Sequence, residues 1–195
     1  YLREYGADDG DNLFSQEYLC DFDAAIIGAY YSRAMRQAAA DNRICRVPYD
    51  PLALVHTAWD LGLSDSTAIW FVQVIGKEIR VIDYLENSGQ PLDWYVSEIG
   101  KKGYSYGQDI LPHDARAKEL QTGRSREETL RALGRNVQIA PMMGVADGIN
   151  AVRTILPRCW FDEEKTTRGR DCLSQYRRQW DEDRKIYQDR PYHDW

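Results

Sequence analysis

The chain has 195 residues, 25 of them basic and 31 acidic, for a formal net charge of 25 − 31 = −6, with 43% hydrophobic, 12% aromatic and 29% charged residues. That length and composition admit one full core with a short appendage but hardly two complete enzymatic domains. No run approaches the roughly 18 apolar residues of a membrane helix, the opening Tyr1-Leu-Arg-Glu lacks the apolar stretch of a signal peptide, and the acidic balance excludes a protein that coats nucleic acid by bulk charge while leaving room for local basic patches and carboxylate metal sites.

Residues 1–50 read as irregular, with an acidic, Gly-containing opening and an Ala-rich stretch from Tyr30 to Ala40 that predicts a short helix. Pro48 and Pro51 punctuate the passage to the next block, as in a linker or docking arm, which places a domain boundary near residue 50. A first residue other than Met is the expectation for a piece excised from a longer chain. From Leu54 to Asp60 and from Thr67 to Ile75 the sequence is dense in β-branched and aromatic residues, so both segments are expected to be strands. Gly76-Lys77 is a two-residue turn signal, and Glu78 to Leu85 alternates as the returning arm of a hairpin.

Pro91 suits the first turn of a helix in which Leu92, Tyr95, Val96 and Ile99 share one face before Gly103. Ile110 to Asp114 is a short strand candidate, with Pro112 near its end and Asp114 at its tip. Ser125-Arg-Glu-Glu128 is a capping box opening a short helix that stops at Gly134, and Val137 to Ala140 reads as a strand. Val145, Ile149, Val152, Ile155 and Leu156 mark a helix closed by Pro157; Leu173, Tyr176 and Trp180 mark a last one, with Trp180 to Lys185 as its solvated end. Three meandering strands followed by alternating helices and strands mix antiparallel and crossover connections, which is the order of an α/β RNase H-like fold: a central mixed sheet flanked by helices.

The four cysteines, Cys20, Cys45, Cys159 and Cys172, form no C-x-x-C pair and lie far in sequence from His56, His113 and His193, so scattered reduced thiols are the expectation. Trp59, Trp70 and Trp94 are expected in the core rather than as stacking platforms for bases.

The sharpest chemical feature is Asp60-Leu-Gly-Leu-Ser-Asp65-Ser-Thr67, at the junction of the first two expected strands. Gly62 lets the backbone turn, and Asp60 with Asp65 offers hard oxygen ligands to a cation such as Mg²⁺, although a solvated Asp-Gly turn explains the segment equally well. A second feature, Pro112-His-Asp-Ala115, lies 114 − 60 = 54 positions later. In an RNase H-like topology the two strands are neighbours, and two carboxylates meeting there would repel by about 4 kcal/mol at 4 Å with an effective dielectric near 20, so they call for a cation between them. Arg116, Lys118, Arg124, Arg126, Arg131 and Arg135 cluster after the second feature, as a path for a DNA backbone or as a helix face paired with Glu119, Glu127 and Glu128.

These residues resemble a known family, the C-terminal nuclease domain of the terminase large subunit of tailed bacteriophages. The resemblance lies in Trp59-Asp-Leu-Gly-Leu-Ser-Asp-Ser-Thr-Ala-Ile-Trp70, Leu111-Pro-His-Asp-Ala115, Thr122-Gly-Arg-Ser-Arg126, Asp147-Gly-Ile-Asn-Ala-Val-Arg153, Trp160-Phe-Asp-Glu163 and Tyr176-Arg-Arg-Gln-Trp180. It covers most of residues 52–195, and residues 13–50 are similar to the end of the motor domain and its linker. The implied organisation is 1–50 as linker or end of the preceding ATPase domain and 51–195 as the nuclease domain.

The resemblance implies a Mg²⁺- or Mn²⁺-dependent endonuclease, with two ions, that cleaves concatemeric double-stranded viral DNA. Asp60 and Asp114 correspond to its first two metal-binding carboxylates, and Asp65 is a further candidate ligand. The family's third carboxylate follows a His-Asp-Trp segment, and this chain stops at His193-Asp194-Trp195, so the third ligand is expected beyond a truncated end, with Asp194 the candidate inside the chain. Arg124 and Arg126, with Arg116 and Lys118, are the implied DNA contacts. The implied partners are the ATPase domain of the parent chain, the portal protein and the terminase small subunit, in the host cell cytoplasm and transiently at the procapsid portal. No G-x-x-x-x-G-K-[ST] loop occurs, so ATP hydrolysis is not expected of this piece. An actin-like kinase would need a second phosphate loop, and a haloacid dehalogenase a second aspartate where Leu61-Gly62 stands; neither is present. The rival from another class is a docking module for the portal or motor domain with an incomplete active site.

Overall fold

The computed structural model describes residues 28–62, 66–119, 123–181 and 184–192. The chain divides into two compact units. One comprises Ile44–Gly144 and Arg158–Thr166; the other brings together 28–43, 145–157 and the described residues from 167 onward.

The larger unit is built on seven strands: β1 (Ile44–Cys45), β2 (Val55–Asp60), β3 (Thr67–Ile75), β4 (Glu78–Asn87), β5 (Tyr106–Leu111), β6 (Val137–Ile139) and β7 (Cys159–Asp162), in the order β1-β7-β4-β3-β2-β5-β6. β3 is antiparallel to β2 and β4, and every other pairing is parallel. The result is the mixed sheet of an RNase H-like α/β fold, as the element order predicts.

The β3–β4 hairpin forms where expected. Ile75 pairs with Glu78, leaving the two-residue turn Gly76-Lys77, and Gly76 has φ +60, a conformation a side chain would strain. Alternate residues of β2 and β3, among them Val55, Trp59, Ile69 and Phe71, enter the core, where they meet helices α2 (Leu92–Lys101) and α3 (Arg126–Ala132). Tyr95 and Ile99 of α2 and Leu130 of α3 are fully buried, and Trp59 meets Tyr95 edge-on at 6.3 Å between ring centres. Trp59 is thus a core residue; Trp70 and Trp94 are half-buried, Trp70 against Tyr84 at 4.6 Å and Trp94 against Tyr95 at 5.0 Å.

Both halves of the expected capping box are present. The Ser125 hydroxyl accepts from the Glu128 backbone N–H at 3.1 Å, and the Glu128 carboxylate accepts from the Ser125 N–H at 2.8 Å. Ser125→Ala therefore costs about 1 kcal/mol, read as a lower urea midpoint at unchanged slope; an unchanged midpoint would show that the cap contributes nothing.

In the second unit, helix α1 (Ser32–Ala40) lies where the Ala-rich stretch predicts it, α4 (Val145–Ile155) runs into a single 3₁₀ turn at Leu156–Arg158, and α5 (Thr167–Gln175) precedes a hairpin of β8 (Arg178–Asp181) and β9 (Ile186–Pro191). Ser32 donates to the Ser174 carbonyl at 2.8 Å, joining α1 to α5. Among the described residues no disulfide joins Cys45, Cys159 and Cys172, and Cys20 lies outside them. No helix among the described residues is long and apolar enough to cross a membrane.

Three expectations are corrected. The strand expected at 110–114 is instead Tyr106–Leu111, because Pro112 has no N–H to continue the ladder and the chain turns into a 3₁₀ turn, His113–Arg116, that buries Ala115. The last helix ends at Gln175, not Trp180. Trp180 is a strand residue paired with Tyr187, their rings edge-on at 4.8 Å, so Trp180 and Asp181 belong to a strand rather than to a helix end. Its apolar spacing fitted a helical face, but a cross-strand aromatic pair claimed the tryptophan. Finally, Ile44–Cys45, upstream of Pro48, and Cys159–Asp162 join the sheet as β1 and β7 without having announced themselves as strands.

Candidate functional site

Asp60 is the last residue of β2, exposed, on the strand face opposite Trp59. β5 runs parallel beside it with Ala58 level with Ile110, so continuing the register sets Asp60 level with Pro112. Asp114 is two residues further, exposed, in the 3₁₀ turn that leaves β5. Both residues therefore stand at the carboxyl edge of one sheet, at or just beyond the ends of neighbouring strands, which lie about 4.8 Å apart. Open α/β sheets characteristically bind ligands at this edge. Asp65 and Asp194 lie outside the described residues, and among the described residues no group of three or more His, Cys, Asp or Glu comes together to hold a metal ion.

The basic candidates follow directly. Arg116 ends the 3₁₀ turn, 68% exposed, with its Nε 3.4 Å from Glu127 Oε2. Lys118 is exposed and bridges Ser125 in an antiparallel pair, closed by Glu119 N–H donating to the Arg124 carbonyl at 3.0 Å and Gly123 N–H to the Glu119 carbonyl at 2.8 Å. Arg124 is exposed on that loop. Arg126, the first residue of α3, is different: its side chain is 12% exposed, its Nη1 donates to the Leu61 carbonyl at 3.1 Å, and its Nε lies 3.5 Å from Glu119 Oε1.

Sequence reasoning did not single out the buried network beneath the site. Arg135 Nε donates to Asp109 Oδ2 at 2.8 Å and Nη2 to Oδ1 at 2.7 Å, with Asp109 2% and Arg135 11% exposed. The Thr57 hydroxyl donates to Asp109 Oδ1 and accepts from Trp59 Nε1 at 2.7 Å. The guanidinium also covers the Tyr106 ring at 4.6 Å; burial pushes the Tyr106 hydroxyl well above its ordinary pKa, with Arg135 opposing. Arg131 Nη2 donates to the Val137 carbonyl at 2.6 Å. Three arginines on and just after α3 thus reach the end of β2 and the strands β6 and β5. The available signal was Asp109 itself, an acid directly before the apolar pair Ile110-Leu111, which asks for a buried partner.

No protein-family model and no curated protein sequence matches the chain. Solved structures do. The large terminase of one thermophilic bacteriophage superposes with a TM-score of 0.64 at 19% identity, over 93% of this chain and 45% of that one. The nuclease domain of the P22 large terminase gives 0.53 at 12% identity, over 70% and 76%. The large terminase nuclease of a second thermophilic phage, G20c, crystallised with bound cobalt, gives 0.54 at 15% identity, over 81% and 85%.

The chain has the fold of the large-terminase nuclease domain. It spans 45% of the length of the first of these large terminases, and its coverage of the two isolated nuclease domains is far more even. In this terminase-nuclease fold one sheet edge carries both Asp60 and Asp114, the two acidic candidates that lie among the described residues.

Proposed function

We propose that the chain is the nuclease domain of a phage large terminase, an endodeoxyribonuclease that cuts concatemeric double-stranded DNA by metal-dependent phosphodiester hydrolysis. The observation that carries the reading is the placement of Asp60 and Asp114 at one edge of adjacent parallel strands. The fold supports it, since solved structures of the same fold are nucleases crystallised with cobalt or magnesium.

The donor set fits a hard divalent cation: exposed carboxylate oxygens at a sheet edge, with no thiol among the site candidates. Asp60 and Asp114 would hold Mg²⁺ or Mn²⁺, with Asp65 and Asp194 as further carboxylate ligands. Two such ions held there would supply activation of a water molecule and charge stabilisation for the leaving oxygen of an in-line displacement, so no protein nucleophile would be needed. Arg116, Lys118 and Arg124 would follow the phosphate backbone and carry no base specificity, which suits an acidic chain with a local basic edge. The ATPase domain of a parent chain, the portal and the small subunit are the proposed partners, at the procapsid portal in the host cytoplasm.

Thermal melting in Mn²⁺ tests the metal reading. Millimolar Mn²⁺ at about 100 times its dissociation constant stabilises the folded chain by roughly 2.7 kcal/mol, and at about 2–4 °C per kcal/mol the melting temperature rises by about 5–11 °C. Asp60→Ala abolishes the rise. A wild-type chain with neither a Mn²⁺ shift nor plasmid nicking would instead be the non-cleaving docking module.

A further inference from the structure

We infer that Arg126 is a positioning residue for the proposed metal site rather than a contact to the DNA backbone. The inference rests on the reading that Asp60 holds a divalent ion. Arg126 belongs to a basic run, yet its side chain is 12% exposed and both sides of its guanidinium are engaged. Nη1 donates at 3.1 Å to the carbonyl of Leu61, the residue that follows Asp60, and Nε lies 3.5 Å from Glu119 Oε1 on the loop between the Asp114 turn and α3.

The consequences are mechanical. β2 ends at Asp60, so nothing in the β2–β3 ladder holds the next peptide; Asp60 pairs with Ala68 and the described residues beyond it leave the sheet. The Arg126 hydrogen bond takes over at that point and ties the chain after Asp60 to the first turn of α3. Leu61 packs in the core on the same stretch, so the peptide is held from its side chain and its carbonyl together. Helix α3 is in turn fixed by its capping box at Ser125, and the loop carrying Glu119 is closed by the Lys118–Ser125 bridge. One guanidinium thereby fixes the segment after Asp60 and the segment after Asp114 to a common rigid element. A lysine cannot do this fully, because a point donor cannot address the carbonyl and the carboxylate in a planar fork. Second-layer groups that orient a metal-binding side chain typically change metal affinity by about 10–100-fold when removed.

The test is a Mn²⁺ titration of the 195-residue chain by electron paramagnetic resonance, together with duplex-DNA binding as a function of salt, for the wild type, Arg126→Gln, Arg126→Lys and Arg124→Gln. Arg126→Gln is expected to weaken Mn²⁺ binding by about tenfold and to leave the slope of log affinity against log salt unchanged. Arg126→Lys falls between, about threefold weaker, with the same slope. Arg124→Gln does the reverse: its slope falls by about 0.9 while its Mn²⁺ affinity stays at the wild-type value. Wild-type Mn²⁺ affinity in folded Arg126→Gln, or a slope reduced by about 0.9, overturns the inference. Where circular dichroism shows Arg126→Gln unfolded, Arg126→Lys decides alone, a loss of about threefold supporting the inference and wild-type affinity overturning it. A wild-type chain that binds no Mn²⁺ overturns the metal reading itself, and it does so before any substitution at Arg126 is compared.

Discussion

Asp60→Ala and Asp114→Asn are each expected to lower Mn²⁺-supported nicking of supercoiled plasmid by about 10³-fold, roughly 4 kcal/mol of transition-state stabilisation at about 1.36 kcal/mol per decade. Asp60 closes β2 and Asp114 sits in the turn leaving β5, at the ends of parallel neighbours, so in the proposed site each would supply an oxygen that the other cannot replace. Both side chains are exposed, and surface replacements of that kind usually change stability by no more than about 0.5 kcal/mol. Loss of nicking with an unchanged metal-free melting temperature is therefore the signature of a lost metal ligand. Asp114→Asn makes the sharper comparison, since it keeps the shape of the side chain and removes only its charge. Nicking at the wild-type rate in either variant removes that residue from the active site.

Asp109→Ala is expected to destabilise the folded chain by about 3–5 kcal/mol, because it leaves the Arg135 guanidinium buried without its carboxylate. At about 2–4 °C per kcal/mol the melting temperature falls by about 6–20 °C. The pair is bidentate at 2.7 and 2.8 Å, and Asp109 also accepts from Thr57, whose hydroxyl in turn accepts from Trp59. Removing the acid therefore unsettles β2 and β5 together, the two strands that present Asp60 and Asp114. Arg135→Met in the same chain should recover much of the loss, since a buried charge without a partner costs more than an apolar replacement of the whole pair. A loss below about 1 kcal/mol for Asp109→Ala would show that water reaches the guanidinium and that the network contributes little.

The central hairpin and the helices around it were legible because their information is local. Alternating β-branched residues from Val55 to Ile75, a Gly-Lys turn and a Ser-x-x-Glu cap each dictate backbone geometry within a few residues, and β2, β3, β4 and α3 follow them closely. The shared sheet edge of Asp60 and Asp114 was legible only through an expected topology, since 114 − 60 = 54 positions separate them and the parallel β2–β5 pairing brings them to one edge.

What the sequence by itself determined is therefore the periodic elements, their turns and caps, and the two carboxylates worth testing. Tertiary structure alone decided the rest. β1 and β7, with two and four residues, are too short to display a period; β7 pairs with the edge that β4 offers, and β1 in turn pairs with β7. Trp180 had the spacing of a helical face, but pairing across a hairpin with Tyr187 outweighed it. The arginines show the same division: Arg116, Arg124, Arg126 and Arg135 belong to one basic cluster in sequence, and only the fold makes Arg126 reach Leu61, 65 residues away, and Arg135 reach Asp109, 26 residues away. A side chain's partner across such distances is set by which strands lie side by side, and strand order is a property of the whole chain's packing rather than of any local pattern.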